Sequence, residues 1–216
     1  MKQIILFVNP SHDFLPEYET AIKIQIDNSL DLGWKAPDII LATNFPYEYN
    51  GVKALLVRDD TYCDFAFTVT LINVILELFE RKLIKKREIY WYHDTDAFQA
   101  YGITESELNL GKADMALCHK CLKPKWDTGS IFFKSGAHDI FRRIKEISYK
   151  YKVYEEDAFM ALYTNNLVWA TDREFVTRSK FVPLNIPGMK NIGGRIKQLN
   201  ISYNFWEEIL NGAYEI

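Results

Sequence analysis

Two carboxylates spaced two apart end an apolar, aromatic run, Ile89-Tyr90-Trp91-Tyr92-His93-Asp94-Thr95-Asp96-Ala97-Phe98. In an extended segment, residues i and i+2 project to the same face, so Asp94 and Asp96 can converge on one ion while Thr95 points away. Magnesium or manganese suits such a pair, because hard divalent ions take one or two carboxylates and complete their shell with water and substrate phosphate oxygens. The same spacing also occurs in solvated turns and caps. Position decides between these readings: in open α/β sheets ligands gather beyond the carboxyl ends of the strands, and two carboxylates there repel unless a cation compensates them.

The elements that must hold this pair are legible as periodicity. Apolar runs at residues 4–8, 38–42 and 53–57 read as buried parallel strands, and residues 88–93 as a fourth that carries the acidic pair. Between them, residues 17–32 have helical apolar spacing and stop at Gly33. Residues 65–83 read as a longer apolar helix that closes in the basic run Arg81-Lys82-Leu83-Ile84-Lys85-Lys86-Arg87. The order β-α-β-β-α-β describes a nucleotide-binding α/β half with crossovers. Beyond residue 98, strands are expected at 114–119 and 130–134, flanking a turn at Trp126-Asp127-Thr128-Gly129. Helices are expected at 137–149 and from Glu155, then a flexible loop from Pro183 and a short helix at 205–210.

Composition sets the outer bounds. A chain of 216 residues suits one domain burying roughly 70% of its unfolded surface. That domain, 1–216, divides into a first half, 1–98, and a second half, 99–216. The hydrophobic fraction of 48% fits a packed core, and the net charge of −3 excludes a strongly basic nucleic-acid coat but not a local patch. No run of about 18 apolar residues and no cleavage region follows Met1, so the chain reads as cytoplasmic. Cys118-His119-Lys120-Cys121 lacks the second ligand pair of a structural zinc site, leaving three free thiols.

Taken in order, His93-Asp94-Thr95-Asp96, then Trp126-Asp127-Thr128-Gly129-Ser130-Ile131-Phe132-Phe133, then Glu155-Glu156-Asp157-Ala158-Phe159, the chain resembles the nucleotide-sugar glycosyltransferases of the GT-A fold. The resemblance implies a GT-A-like mixed sheet of Rossmann-type βαβ units flanked by helices. It also implies transfer of a sugar, hexosyl or pentosyl, from a nucleoside diphosphate donor, with uridine diphosphate favoured, to an acceptor hydroxyl. By the same resemblance Asp94 and Asp96 hold Mn2+ or Mg2+ on the diphosphate, with Asp94 reaching the ribose or the metal. Asn9, Pro10 and Ser11 meet base and ribose, Arg58 and Asp59 lie beside the nucleotide, and Asp127 and Gly129 lie under the donor sugar. Asp157 is the first choice for the catalytic carboxylate and Glu156 the reserve, although acidic residues in a first helical turn also serve the helix dipole.

The family's usual third metal ligand, a His near the C-terminus, has no counterpart, since the four His are at 12, 93, 119 and 138. Lys190, Arg195 and Lys197, interleaved with Gly188, Gly193 and Gly194, offer instead a basic loop to close over the diphosphate. The compact chain is also similar to phage-encoded glycosyltransferases, which brings a hydroxymethylated DNA base beside glycans and protein side chains as acceptors. For DNA, Arg142, Arg143, Lys145 and Lys150 offer phosphate contacts. Two other classes stay open. A nucleotidyltransferase or sugar-nucleotide synthase would want a glycine-rich first loop, which Asn9-Pro10-Ser11-His12-Asp13 is not. A non-catalytic interaction module would leave the acidic pair structural.

Overall fold

The computed structural model describes residues 1–95, 99, 102–119, 126–164, 166–170, 179–183 and 196–199. The first half is built as the apolar runs require. Strand β1 (Lys2–Phe7) leads to helix α1 (Pro16–Asp31), which starts with Pro in its first turn and buries Ile22, Gln25, Ile26 and Ser29, one face at helical spacing. Strand β2 (Ile39–Thr43) follows, then a small hairpin of β3 (Glu48–Tyr49) and β4 (Val52–Lys53), then β5 (Leu55–Leu56). The run expected as one strand at 53–57 is therefore divided: Val52 and Lys53 pair back onto β3, and only Leu55 and Leu56 join the main sheet. Helix α2 (Val69–Glu80) is shorter than the apolar run that announced it, and nearly all of it is buried. Strand β6 (Tyr90–His93) ends immediately before Asp94.

The second half contains α3 (Glu105–Leu108), β7 (Met115–His119), β8 (Trp126–Phe133), α4 (His138–Tyr151) and α5 (Glu155–Thr164). It also contains β9 (Asn166–Ala170), β10 (Ser179–Pro183) and β11 (Ile196–Leu199). Seven strands form one mixed sheet in the order β11-β7-β8-β6-β1-β2-β5, and β9 pairs antiparallel with β10 in a separate ribbon. The block β6-β1-β2-β5 is parallel, whereas β8 runs antiparallel to both β6 and β7.

Two expectations are corrected here. Trp126-Asp127-Thr128-Gly129 is not a turn between strands but the first half of β8. The part of the tail read as a flexible loop includes β11, where Lys197 pairs with Ala116 of β7. The remainder of that loop, with Lys190 and Arg195, and the helix expected at 205–210 lie outside the described residues.

Alternation along β1 sorts the core into two layers. Ile4, Leu6 and Val8 join Tyr90, Tyr92, Ile131 and Phe133 under α2, α4 and α5. Ile5 faces the other way, with Ile22 and Ile26 of α1 and Leu41 of β2. Trp91 stacks on Phe132 at 5.3 Å on the side of Ile103 and Leu108. Covering both faces of the parallel block with helices leaves its strand ends as the place where polar loops can gather.

Candidate functional site

The strand order reverses at β1, whose neighbours are β2, next in sequence, and β6, which returns from the far side of β5. In open α/β sheets such a reversal marks the usual location of ligands, which here is beyond the carboxyl ends of β1 and β6. Asn9-Pro10-Ser11 leaves β1 there and Asp94 leaves β6.

Asp94 is fixed at three points. Its backbone N–H donates to the carbonyl of Gly129 at 2.9 Å, continuing the β6–β8 ladder one step past His93. Its carbonyl accepts from the Gln25 amide of α1. Its Oδ1 accepts from the Tyr92 hydroxyl at 2.5 Å, the contact expected of i and i+2 on one strand face. Asp96 lies outside the described residues. His93 points to the opposite face, fully buried, with its ring nitrogens against the Gln3 and Gln25 amides. Burial pushes its pKa down to about 4, so it is a neutral brace for the strand end and not a ligand beside Asp94.

Across from Asp94, β8 bulges. Its register with β7 jumps from Leu117↔Ile131 to Cys118↔Asp127, so Thr128, Gly129 and Ser130 face no β7 partner. Bulges of this kind re-aim side chains near sites. Thr128 is thereby buried against α5, where its hydroxyl donates to Glu155 Oε1 at 2.9 Å, and the Thr68 hydroxyl, just before α2, donates to Oε2. Glu155 is 4% exposed, and burial raises its pKa, with the two hydroxyls opposing that rise. Sequence reasoning chose its neighbours Glu156 and Asp157, which are half-buried in the same first turn. The signal that would have found Glu155 is its spacing with Ala158, Phe159 and Leu162, all buried on one face of α5.

A second polar cluster ties the loops after β1, β2 and β5 together. Asn44 accepts from the Asn9 N–H at 3.0 Å and donates to the Asn9 carbonyl at 2.9 Å and to Asp59 Oδ1 at 2.8 Å. His12, with φ at +55°, meets the same Asp59 oxygen at 2.8 Å. The Asn44 amide, followed by His12, lowers the pKa of Asp59. Pro10 and Ser11 are exposed beside this cluster. Arg58 is not part of it: its guanidinium meets Asp60 at 3.2 Å, and Glu77 and Glu80 of α2 at 3.7 and 3.1 Å. The structure thus brings together Asn9 with Asp59, and Asp94 with Gly129, and turns Arg58 toward the end of α2.

Among the described residues no three His, Cys, Asp or Glu side chains gather as a metal cage. The donor chemistry at the strand end nonetheless suits a hard cation, because one or two carboxylates completed by phosphate and water suffice for magnesium or manganese. No helix among the described residues is long and apolar enough to cross a membrane.

No family model and no curated protein matches the chain. Among solved structures it is similar to a glycosyltransferase involved in the glycosylation of the major capsid of PBCV-1, with 13% identity and a TM-score of 0.52 over 93% of this chain and 82% of that one. It is also similar to the galactosyltransferase LgtC in complex with donor and acceptor sugar analogues, at 13% identity, TM-score 0.49, 74% of this chain and 69% of that one. The glycosyltransferase GlyE of Streptococcus pneumoniae TIGR4 follows at 15% identity, TM-score 0.48, 74% of this chain and 43% of that one. The likeness to the first shows the fold: an α/β fold of the GT-A glycosyltransferase type, as the sequence resemblance implied.

Proposed function

We propose that this chain is a glycosyltransferase that moves one sugar from a nucleoside diphosphate, uridine diphosphate favoured, to an acceptor hydroxyl. The observation that carries the reading is the placement of Asp94 directly across from Gly129 in the bulge of β8, with Thr128 of the same bulge bonded to Glu155 at the start of α5. These three segments are the ones whose order in the sequence resembles the family, and they meet at the end of the sheet where the strand order reverses.

In this reading the base and ribose lie along Asn9, Pro10 and Ser11, with Asp59 at their border, and the donor sugar lies over Gly129 beside Asp127. Asp94 and Asp96 would hold Mn2+ or Mg2+, which when bound supplies positive charge to the departing diphosphate. Lys190 and Arg195 would add charge from the loop after β10. The bond from the sugar to the diphosphate breaks, one to the acceptor oxygen forms, and the acceptor proton passes to a carboxylate. Asp157 or Glu156 takes that proton, or stabilises the positive sugar. Glu155, held by two hydroxyls and carrying a raised pKa, orients the turn from which both project. Glycan, protein and hydroxymethylated DNA acceptors all present the hydroxyl this chemistry needs.

Calorimetric titration with nucleoside diphosphates and diphospho-sugars, with and without manganese, tests the donor half of the reading. Metal-dependent binding of one nucleotide, lost in Asp94→Ala/Asp96→Ala, is expected. Absence of binding by every nucleotide in the panel would overturn it.

A further inference from the structure

The basic run 81–87 plays no part in the site just described, and it delivers its charge to the opposite edge of the sheet. Arg81 and Lys85 are engaged locally: Arg81 bonds Glu77 at 3.3 Å and the Leu56 carbonyl at 2.6 Å, and Lys85 caps the Lys82 carbonyl at 3.1 Å. Lys86 and Arg87, both exposed, have no carboxylate partner among the described residues. They enter β6 at its amino end. Because β8 is antiparallel to β6, Lys134 leaves β8 at the same edge, and the segment from α3 to Gly111 enters β7 there.

These pieces line an open surface depression of about 480 Å³. Small-molecule sites commonly span about 300–1,000 Å³. Three cations, Lys86, Arg87 and Lys134, line it against two carboxylates, Glu88 and Glu105. Glu88 is already engaged by the Tyr90 hydroxyl at 2.7 Å. Lys134 is pinned across the wall by donating to the Gly111 carbonyl at 2.9 Å, and Gly111 adopts φ +53°, which its lack of a side chain permits. A guanidinium fork beside two ammonium groups is a match for phosphate oxygens. Ser106 and Asn109 add neutral hydrogen-bonding groups for hydroxyls, and Ile89 and Leu110 supply an apolar wall.

We propose that this depression is a second binding site, for a small molecule of sugar or nucleotide size that carries a phosphate group. It lies at the amino-terminal edge of the sheet, so it is separate from the proposed donor site and does not depend on the glycosyltransferase reading. Three cations against two carboxylates leave this depression net positive on a chain of net charge −3, which favours an anion there.

Amide chemical shifts of the full chain, titrated in the presence of a chelator with glucose 6-phosphate, inorganic phosphate and glucose, test the proposal. Saturable shifts confined to residues 86–89, 105–111 and 134 are expected with glucose 6-phosphate, weaker ones with inorganic phosphate, and none with glucose. Lys86→Ala/Arg87→Ala replaces exposed side chains; its amide spectrum should otherwise overlay the parent's while affinity falls at least tenfold. Asp94→Ala should leave this binding unchanged, which separates it from the donor site. Shifts that scatter over the surface without saturating, that centre on residues 94 and 129, or that survive the double substitution would overturn the proposal.

Discussion

The amide of Asp94 and the carbonyl of Gly129 are 2.9 Å apart, so the acidic residue that ends one strand is locked in register with the only glycine of the strand beside it. A glycine there lets a ligand approach the backbone beside the carboxylate. Removing the carboxylate keeps this backbone bond but takes the Oδ1 acceptor from the Tyr92 hydroxyl. Asp94→Ala is expected to keep the fold, at a cost of about 1 kcal/mol for that hydrogen bond, and to lose metal-dependent nucleotide binding by at least tenfold, about 1.4 kcal/mol. Turnover should fall by about 10²–10³, the range for lost electrostatic stabilisation. Calorimetry and a donor-hydrolysis assay read the two effects separately.

The three acidic residues at the start of α5 should divide by role. Asp157→Asn, or Glu156→Gln if the reserve assignment holds, is expected to lower kcat by about 10²–10⁴ with donor affinity retained, as loss of a general base requires. Glu155→Ala should instead lower thermal stability, because the hydroxyls of Thr68 and Thr128 lose their acceptor. Measuring kcat, KM and Tm for all three variants distinguishes them.

His93 makes stability depend on pH in a definite direction. Its folded pKa is held down at about 4, against 6.5 for the ordinary imidazole, so the unfolded chain binds more protons between those values. The contribution is complete above the ordinary value and is lost as pH falls toward about 4, with a ceiling of about 3 kcal/mol. Glu155 acts oppositely: its raised pKa gives a contribution complete below the ordinary value of 4.5 and lost as pH rises through the folded one. Urea unfolding across pH 4.5–7.5 should show acid destabilisation, flattened in His93→Gln and steepened in Glu155→Gln.

Asn44 holds the loops after β1 and β5 to its own. Asn44→Ala removes three hydrogen bonds and is expected to cost about 1.5–4.5 kcal/mol, since each is worth about 0.5–1.5 kcal/mol net. Amide exchange at residues 9–13 and 58–60 should accelerate ahead of the rest of the sheet.

How much of this could be read from residues alone depended on whether the cause was local. Ile4, Leu41 and Trp91 sit in apolar runs that only buried strands use, so β1, β2 and β6 and their order were legible, as was the end of α1 at Gly33, which takes φ +92°. Asp127 and Gly129 misled because they are turn formers that β8 accommodates in a bulge, a feature decided by pairing with β7. Glu155 was hidden among three acidic neighbours, since its burial depends on Thr68, which is 87 positions away. Ile196-Lys197-Gln198-Leu199 is too short to stand out beside Gly193 and Gly194, and becomes a strand only through β7.

The bulge has a structural effect beyond re-aiming Thr128. On its β6 side, β8 keeps an unbroken register from Phe133 through Ser130 to the bond between Gly129 and Asp94, whereas the offset is taken up entirely on the β7 side. The strand therefore works as a slip joint. Changes in the length or pairing of the segment joining β7 to β8 can be absorbed against Leu117 and Cys118 without moving the carboxylate, so the sequence on the β7 side can vary while the position of Asp94 is retained.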